Sequence, residues 1–261
     1  MKILTEKEFA ESEQYLGANI IECDGTYWKE IKWKFFVPVH PLKEIIADQR
    51  PSLKMPFRLF VAPMKANTVY VVMQMSDPVN IDLSVLSGNT RSKVRRGQKR
   101  VVVEEDFFSE ESCRGAFEVY RSFYIRANWG SKRKLDYGVF KIWFEKLFED
   151  ERLTLGGFVD GHLVGLLRGY LIGDTAYLSF IATHSDYLKY YPNECLVWHF
   201  VEKVKSVSGI RRIIYATKSR KATLDEFKSK MGFLEKKYPA RFVSVIPASS
   251  RLLAEFVTRR F

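Results

Sequence analysis

Tyr187 to Phe233 reads YLKYYPNECLVWHFVEKVKSVSGIRRIIYATKSRKATLDEFKSKMGF, and a strand exit, a helix, a strand and a second helix follow in it without a break. Pro192-Asn193 predicts the start of the first helix: proline suits a first turn, and an asparagine side chain caps free backbone N–H groups. Leu196, Phe200, Val204 and Val207 recur at three-to-four-residue spacing, which makes one helix face apolar. Gly209 stops that helix and Ile210 to Ala216 has the composition of a buried strand. Thr223 is expected to cap a second helix that ends at Gly232. A helix entered straight from a strand presents bare N–H groups at the positive end of its dipole, which is an anion site.

Upstream, Leu153–Val159, Leu163–Ile172 and Thr175–Thr183 read as three strands. Asp160-Gly161 joins the first pair and Gly173-Asp174 the second. Such dipeptides favour antiparallel hairpins because positive φ at the turn matches strand twist. Two amphipathic helices, Ser109–Asn128 and Gly138–Glu149, precede them. After Thr183 the pattern changes to helix–strand–helix, so the strand over Arg211–Ala216 should lie parallel to the one ending at Thr183. The expected class is α/β (α+β), a mixed, largely antiparallel sheet flanked by helices.

The earlier residues suggest a reduced α/β half. A helix over 1–16 is signalled by Thr5 and Glu8 as a capping box. Strands are expected over Asn19–Cys23, Trp28–Val39, Phe57–Ala62 and Thr68–Met75, with Asp24-Gly25 as a hairpin turn. Asp82 to Arg100 reads as a helix broken near Gly88, with Ser84 or Asn89 as caps, and Val101–Glu105 as a strand. Arg241–Ile246 supplies a last strand and Ser249–Phe261 a terminal helix. The division this suggests is 1–105 and 106–261, with no Gly/Ser-rich linker between the halves.

At 261 residues, 46% hydrophobic and 15% aromatic, the chain can bury a substantial core and is not of disordered composition. Its net charge of +11 favours an anionic partner. Cys23, Cys113 and Cys195 form no C-x-x-C pair, so neither a zinc site nor a disulfide framework is indicated. Lys2, Glu6, Lys7 and Glu8 interrupt any signal-peptide core, and no apolar run approaches the roughly 18 residues of a membrane span. A cytoplasmic location is expected. No P-loop, dinucleotide loop, nucleophile elbow or H-E-x-x-H motif is present.

Tyr191-Pro192-Asn193-Glu194 at the helix start, with Phe227-Lys228 and Met231-Gly232-Phe233 at the end, resembles the donor-binding part of the GNAT acyltransferase superfamily, in its Fem-like branch. The resemblance covers roughly Cys113 to Pro247 plus the basic helix before it, Arg91 to Arg100. It implies an acyltransferase that moves an acyl or aminoacyl group from acyl-CoA or aminoacyl-tRNA to an amine. The acceptor it implies is an amine-bearing small molecule or a peptide-like compound, with tRNA as a partner. Most acetyl-CoA-binding members carry a Gln/Arg-x-x-Gly-x-Gly/Ala loop, whereas Ser185 to Asn193 contains no glycine here. Fem-type enzymes share that lack.

Candidate residues follow from position and chemistry. Tyr191, Asn193, Glu194 and Lys228 are placed at the donor, with Asn193 as the helix cap. His184, at the end of a strand, could take a proton from an amine near neutral pH. Arg168 puts a charge in a strand of Leu, Gly and Tyr, which is costly unless paired. Arg91, Arg95 and Arg96, with Lys93, Lys99 and Arg100, form a cationic stripe suited to phosphate oxygens, and Tyr187 joins them as a substrate contact. His40, His162 and His199 have no partner at ligand spacing, so no metal is expected. A second reading is a catalytically degenerate module that binds nucleic acid through residues 91–100.

Overall fold

The elements in chain order are β1 (Ile3–Leu4), α1 (Glu6–Tyr15), β2 (Ile20–Cys23), β3 (Thr26–Lys32), β4 (Phe35–Pro38), β5 (Phe57–Val61) and β6 (Thr68–Ser76). Next come α2 (Gly88–Arg100), β7 (Val102–Glu104), α3 (Glu110–Arg126), α4 (Tyr137–Lys146), β8 (Leu153–Val159), β9 (His162–Ile172) and β10 (Thr175–Thr183). The chain continues with α5 (Pro192–Lys205), β11 (Arg212–Thr217), α6 (Ala222–Lys230) and β12 (Leu234–Ser244). The computed structural model describes residues 1–46, 52–127, 136–149, 151–219 and 221–245. The helix expected over Ser249–Phe261, and most of the Arg126–Asp136 loop, lie outside the described residues.

The chain divides into two compact units, each mixed α/β with mostly antiparallel strands. One holds Met1–Ile3, Met75–Ala216 and Lys228–Phe233; the other holds Leu4–Gln74, Thr217–Phe227 and the chain from Leu234. The first unit thus takes in α2 and β7, which precede residue 106.

The smaller unit runs β2-β3-β4-β5-β12-β6 across its sheet. Its core packs Trp28, Phe36 and Phe60, with Trp28 edge-on to Phe60 at 5.6 Å between ring centres. The Thr5–Glu8 capping box starts α1, both of its bonds being made. Trp28–Val39, expected as one strand, is instead a hairpin. Trp33 and Lys34 take φ of 51° and 61°, forming a tight turn from residues that rarely accept such angles. The last strand also begins earlier than expected, at Leu234, where it pairs with β6.

The larger unit is ordered β11-β10-β9-β8-β7. Asp160 and Gly161 (φ 50° and 78°) turn β8 into β9, and β9 returns through Gly173 into β10. Helix α5 lies on the β9 face through Gly165 and Gly169. A Cβ at Gly169 would meet Phe200 Cε2 at 2.3 Å, and one at Gly165 would meet Leu196 Cδ1 at 2.8 Å. The two glycines let fully buried Leu196 and Phe200 seat directly on the strand, each burial contributing about 1.5–3 kcal/mol. Helices α3 and α4 cover the opposite face, where Tyr120, Phe123 and Trp143 ring Phe180 of β10.

Three local expectations fail here. Ser87, rather than Ser84 or Asn89, caps α2 by accepting from the Thr90 N–H. Thr223 lies inside α6, whose first residue is Ala222. Asn193 is the second residue of α5, not its cap; the cap position is Tyr191, which makes no side-chain cap bond and sits at φ 59°.

Candidate active site

β10 and β11 are parallel, as the sequence predicts, with Thr175 to Tyr177 registered on Arg212 to Ile214. Pairing stops there. β10 then bulges between Leu178 and Phe180, where exposed Ser179 is the extra residue, and runs on to Thr183 beside β9 alone. A bulge leaves one backbone position out of the ladder and re-aims its neighbours. A gap between two parallel strands, with a bulge at its apex, therefore exposes main-chain groups to anything lodged in it.

Arg168 lies opposite Phe180 across the β9–β10 pair and is buried at 6% exposure, so it does not face solvent. Its carbonyl oxygen accepts from Ser179 Oγ at 3.0 Å. Lys228 is buried too, with Nζ 5.3 Å from the Tyr215 ring centre, just beyond the last paired residue of β11. Burial drives the Tyr215 phenol well above its ordinary value.

Past Thr183 the chain makes a six-residue 3-10 turn structure, Ser185–Tyr190. His184 caps it: Nδ1 accepts from the Asp186 N–H at 3.3 Å. A neutral imidazole bonded this way carries its hydrogen on Nε2, so in that state it donates rather than accepts a proton there. Tyr187 and Tyr190 pack against the cluster of Val101, Val159, Val164 and Cys195.

The start of α5 already carries an acidic side chain of its own. Glu194 bonds its own backbone N–H, and burial raises its carboxyl above the ordinary range, with Lys93 and that bond opposing the shift. Pro192 brings no N–H at all. Helix α2 lies against this end of α5 so closely that a Cβ on Gly97 would be 2.9 Å from the Tyr191 carbonyl oxygen. Arg96 and Lys93 sit over the Tyr191 ring at 4.9 and 5.9 Å. Arg95 and Arg96 are exposed, while Arg91 is half-buried and lines a shallow groove with Arg95, Asp82 and Glu202.

A larger cleft of about 960 Å³ opens between α3, the β8–β9 turn and the 3-10 turn. Glu104, Glu111, Glu118 and Asp186 line it together with Arg114, His184 and Tyr187, so carboxylates outnumber cations there although the chain is basic. Four neighbouring residues escaped the sequence reading. Arg126, at the end of α3, reaches Ser185 Oγ at 2.8 Å and Thr183 Oγ1 at 3.2 Å. Ser122 donates to Ser185, and Thr183 donates to Asn193 Oδ1 at 3.2 Å. The residues concerned are some sixty positions apart in sequence, and only the placement of α3 beside the end of β10 unites them. Among the described residues no group of His, Cys, Asp and Glu is arranged to hold a metal, and no helix is long and apolar enough to cross a membrane.

Comparison with known proteins places this geometry. The structure of FemX superposes with a TM-score of 0.60 at 11% identity, covering 97% of this chain and 93% of that one. The C-terminal domain of a putative lysylphosphatidylglycerol synthetase from Agrobacterium fabrum gives 0.58 at 9% identity, covering 97% of both chains. L-PGS from Bacillus licheniformis gives 0.56 at 12%, covering 98% and 96%. No curated protein matches the sequence. At these identities the likeness is one of fold. The sequence itself, over residues 88–228, matches the model of the acetyltransferase (GNAT) domain, which is more than half of the chain. By that match the chain belongs to the acetyltransferase (GNAT) domain family.

Proposed function

We propose that the protein is an N-acyltransferase moving an acyl or aminoacyl group from a phosphate-bearing carrier, acyl-CoA or aminoacyl-tRNA, to an amine acceptor. One observation carries the reading: β10 bulges at Ser179 where β11 leaves it, freeing main-chain groups beside the gap. Acyl transfer to an amine needs a polarised carbonyl, an amine with its lone pair free and a proton for the leaving group. Backbone N–H groups at the bulge polarise the carbonyl and hold the oxyanion of the tetrahedral intermediate. Arg168 supplies positive charge beneath that point. The departing group takes up the proton that the attacking amine gives up, so the exchange needs no net acid.

The acid-lined cleft supports an amine acceptor, since carboxylates attract an ammonium and position it before it loses its proton. Tyr191, Asn193, Glu194 and Lys228 belong to the donor side. The catalytic unit in this reading is the larger one, Met75–Ala216 with Lys228–Phe233, which takes in α2 and β7 from before residue 106. Cys23, Cys113 and Cys195 are all free thiols, which suits a reducing cytoplasm. The test is a donor panel of acetyl-CoA, longer acyl-CoAs and charged tRNA, each offered with amine acceptors and followed by mass spectrometry. Turnover of one donor is expected; if none is bound or consumed, the reading fails.

A nucleic-acid module is the second reading, favoured by the exposed Arg95, Arg96, Lys99 and Arg100 of α2. Binding to tRNA that weakens steeply with salt, without turnover of any donor, would favour it.

A further inference from the structure

The tip of the β3–β4 hairpin, in the smaller unit, runs against turn chemistry. Lys32 pairs with Phe35, so Trp33 and Lys34 are the two turn residues, and both are left-handed. Such a turn favours Asn-Gly, because most side chains are strained there. Burial does not offset the strain: Trp28 in β3 is fully buried, whereas Trp33 is 63% exposed. Ile31 falls at the break of register between Glu30 and Lys32, outside the ladder, and is exposed as well. The Lys34 N–H donates to Glu30 Oε1 at 2.7 Å, which gives the tip a definite shape. Strain kept at an exposed position points to what that position meets.

From Ile31 to Lys34 exposed apolar and cationic side chains alternate. Lys32 Nζ lies 4.5 Å from the centre of the Trp33 ring, so ammonium and indole form one amphipathic unit. An indole and a branched alkyl group settle at the depth of lipid headgroups, and lysines beside them reach the phosphates. A single-stranded nucleic acid would need bare ring faces to stack on. Here the ammonium covers one face, and Ile31 has no ring to offer a base. The net charge of +11 draws the chain to an anionic bilayer surface. We propose that Ile31 to Lys34 is a peripheral anchor that seats the hairpin tip on an anionic lipid surface. The anchor goes beyond the acyltransferase reading and does not depend on it.

The experiment is co-sedimentation of the full chain with vesicles of phosphatidylcholine, alone or mixed with phosphatidylserine. Binding to the mixed vesicles is expected, with little to the neutral ones. Trp33→Asn combined with Lys34→Gly installs the favoured turn, so it should raise the melting temperature yet weaken vesicle binding about tenfold or more. A tip that served only as a turn would gain stability without that loss. Should the double variant fail to fold, Trp33→Ser replaces it with the same loss expected. Lys236→Ala, which removes an exposed charge from β12, should bind as the parent does. No binding by the parent, parent-like binding by the double variant, or equal weakening in Lys236→Ala overturns the anchor. Binding of oligouridylate that the double variant loses, with vesicles ignored, overturns it too and assigns the tip to nucleic acid. Turnover of soluble donor and acceptor should be the same in parent and double variant. Sedimentation reads the anchor even if no donor is consumed, so the two readings fail separately.

Discussion

Ser179 and Arg168 are tied across the β9–β10 pair, the serine hydroxyl donating to the arginine carbonyl oxygen over 3.0 Å. The bond fixes an exposed residue that stands outside the ladder, so it defines the shape of the bulge rather than its burial. Ser179→Ala should cost about 1 kcal/mol in stability. If the bulge polarises the acyl carbonyl, turnover should fall by about tenfold while donor affinity holds. Steady-state kinetics beside thermal melts separate the two effects, and unchanged turnover would detach the bulge from catalysis.

Gly169 faces Phe200, whose side chain is fully buried and has nowhere to move. Gly169→Ala should therefore destabilise by about 1–3 kcal/mol, as overpacking does. Trimming the ring in Phe200→Leu should recover part of that loss, so the two changes should be non-additive. Denaturant unfolding of the single and double variants checks it; strict additivity would mean that the helix simply shifts away.

Glu194 gives stability a pH dependence of unusual sign. Its carboxyl is raised by desolvation, so the ionised form is disfavoured by folding. The folded state keeps its proton longer, and stability falls as pH rises from the ordinary carboxylate range through the raised value. Glu194→Gln removes that loss. The variant should melt above the parent near pH 8, with the gap closing towards pH 4. Melting curves across that range decide, a pH-independent gap counting against the assignment.

Thiol chemistry should report on the core. Burial holds Cys195 at about 11, with Glu194 adding to the shift, and raises Cys113 as well. Both are almost fully buried, whereas Cys23 is partly open. In the folded protein iodoacetamide should alkylate only Cys23, and slowly, since the thiolate is the reactive form. All three should react after unfolding, as peptide mass spectrometry would reveal. Fast native labelling of Cys195 would mean that the α2–α5 contact opens.

Features that depend on neighbours in the chain were legible in advance. Asp160-Gly161 and Gly173-Asp174 announce their turns because positive φ suits few residues, and Thr5 and Glu8 announce a helix start. The parallel register of β10 and β11 followed from the helix between them. What depends on tertiary placement was hidden. Trp33-Lys34 carries no turn chemistry, yet it turns, because Phe35 and Phe36 must reach the core. Asn193 has the composition of a cap, but Thr183 claims its side chain. The Arg126 cluster joins a helix end to a strand end, and no local pattern marks such a meeting.

The extra residue at Ser179 reverses the parity of β10. Before it, even-numbered Leu178 stands opposite Gly169, on the α5 side; after it, even-numbered Phe180 stands opposite Arg168, among the rings of α3 and α4. Thr183 is thereby turned towards Asn193, which an unbroken alternation would have denied it. One strand thus serves two faces in succession, with the changeover at the mouth of the gap. Losing that single position would swap the assignments of Phe180 to Thr183 together, so the segment's tolerance of deletion should be far lower than its exposed serine suggests.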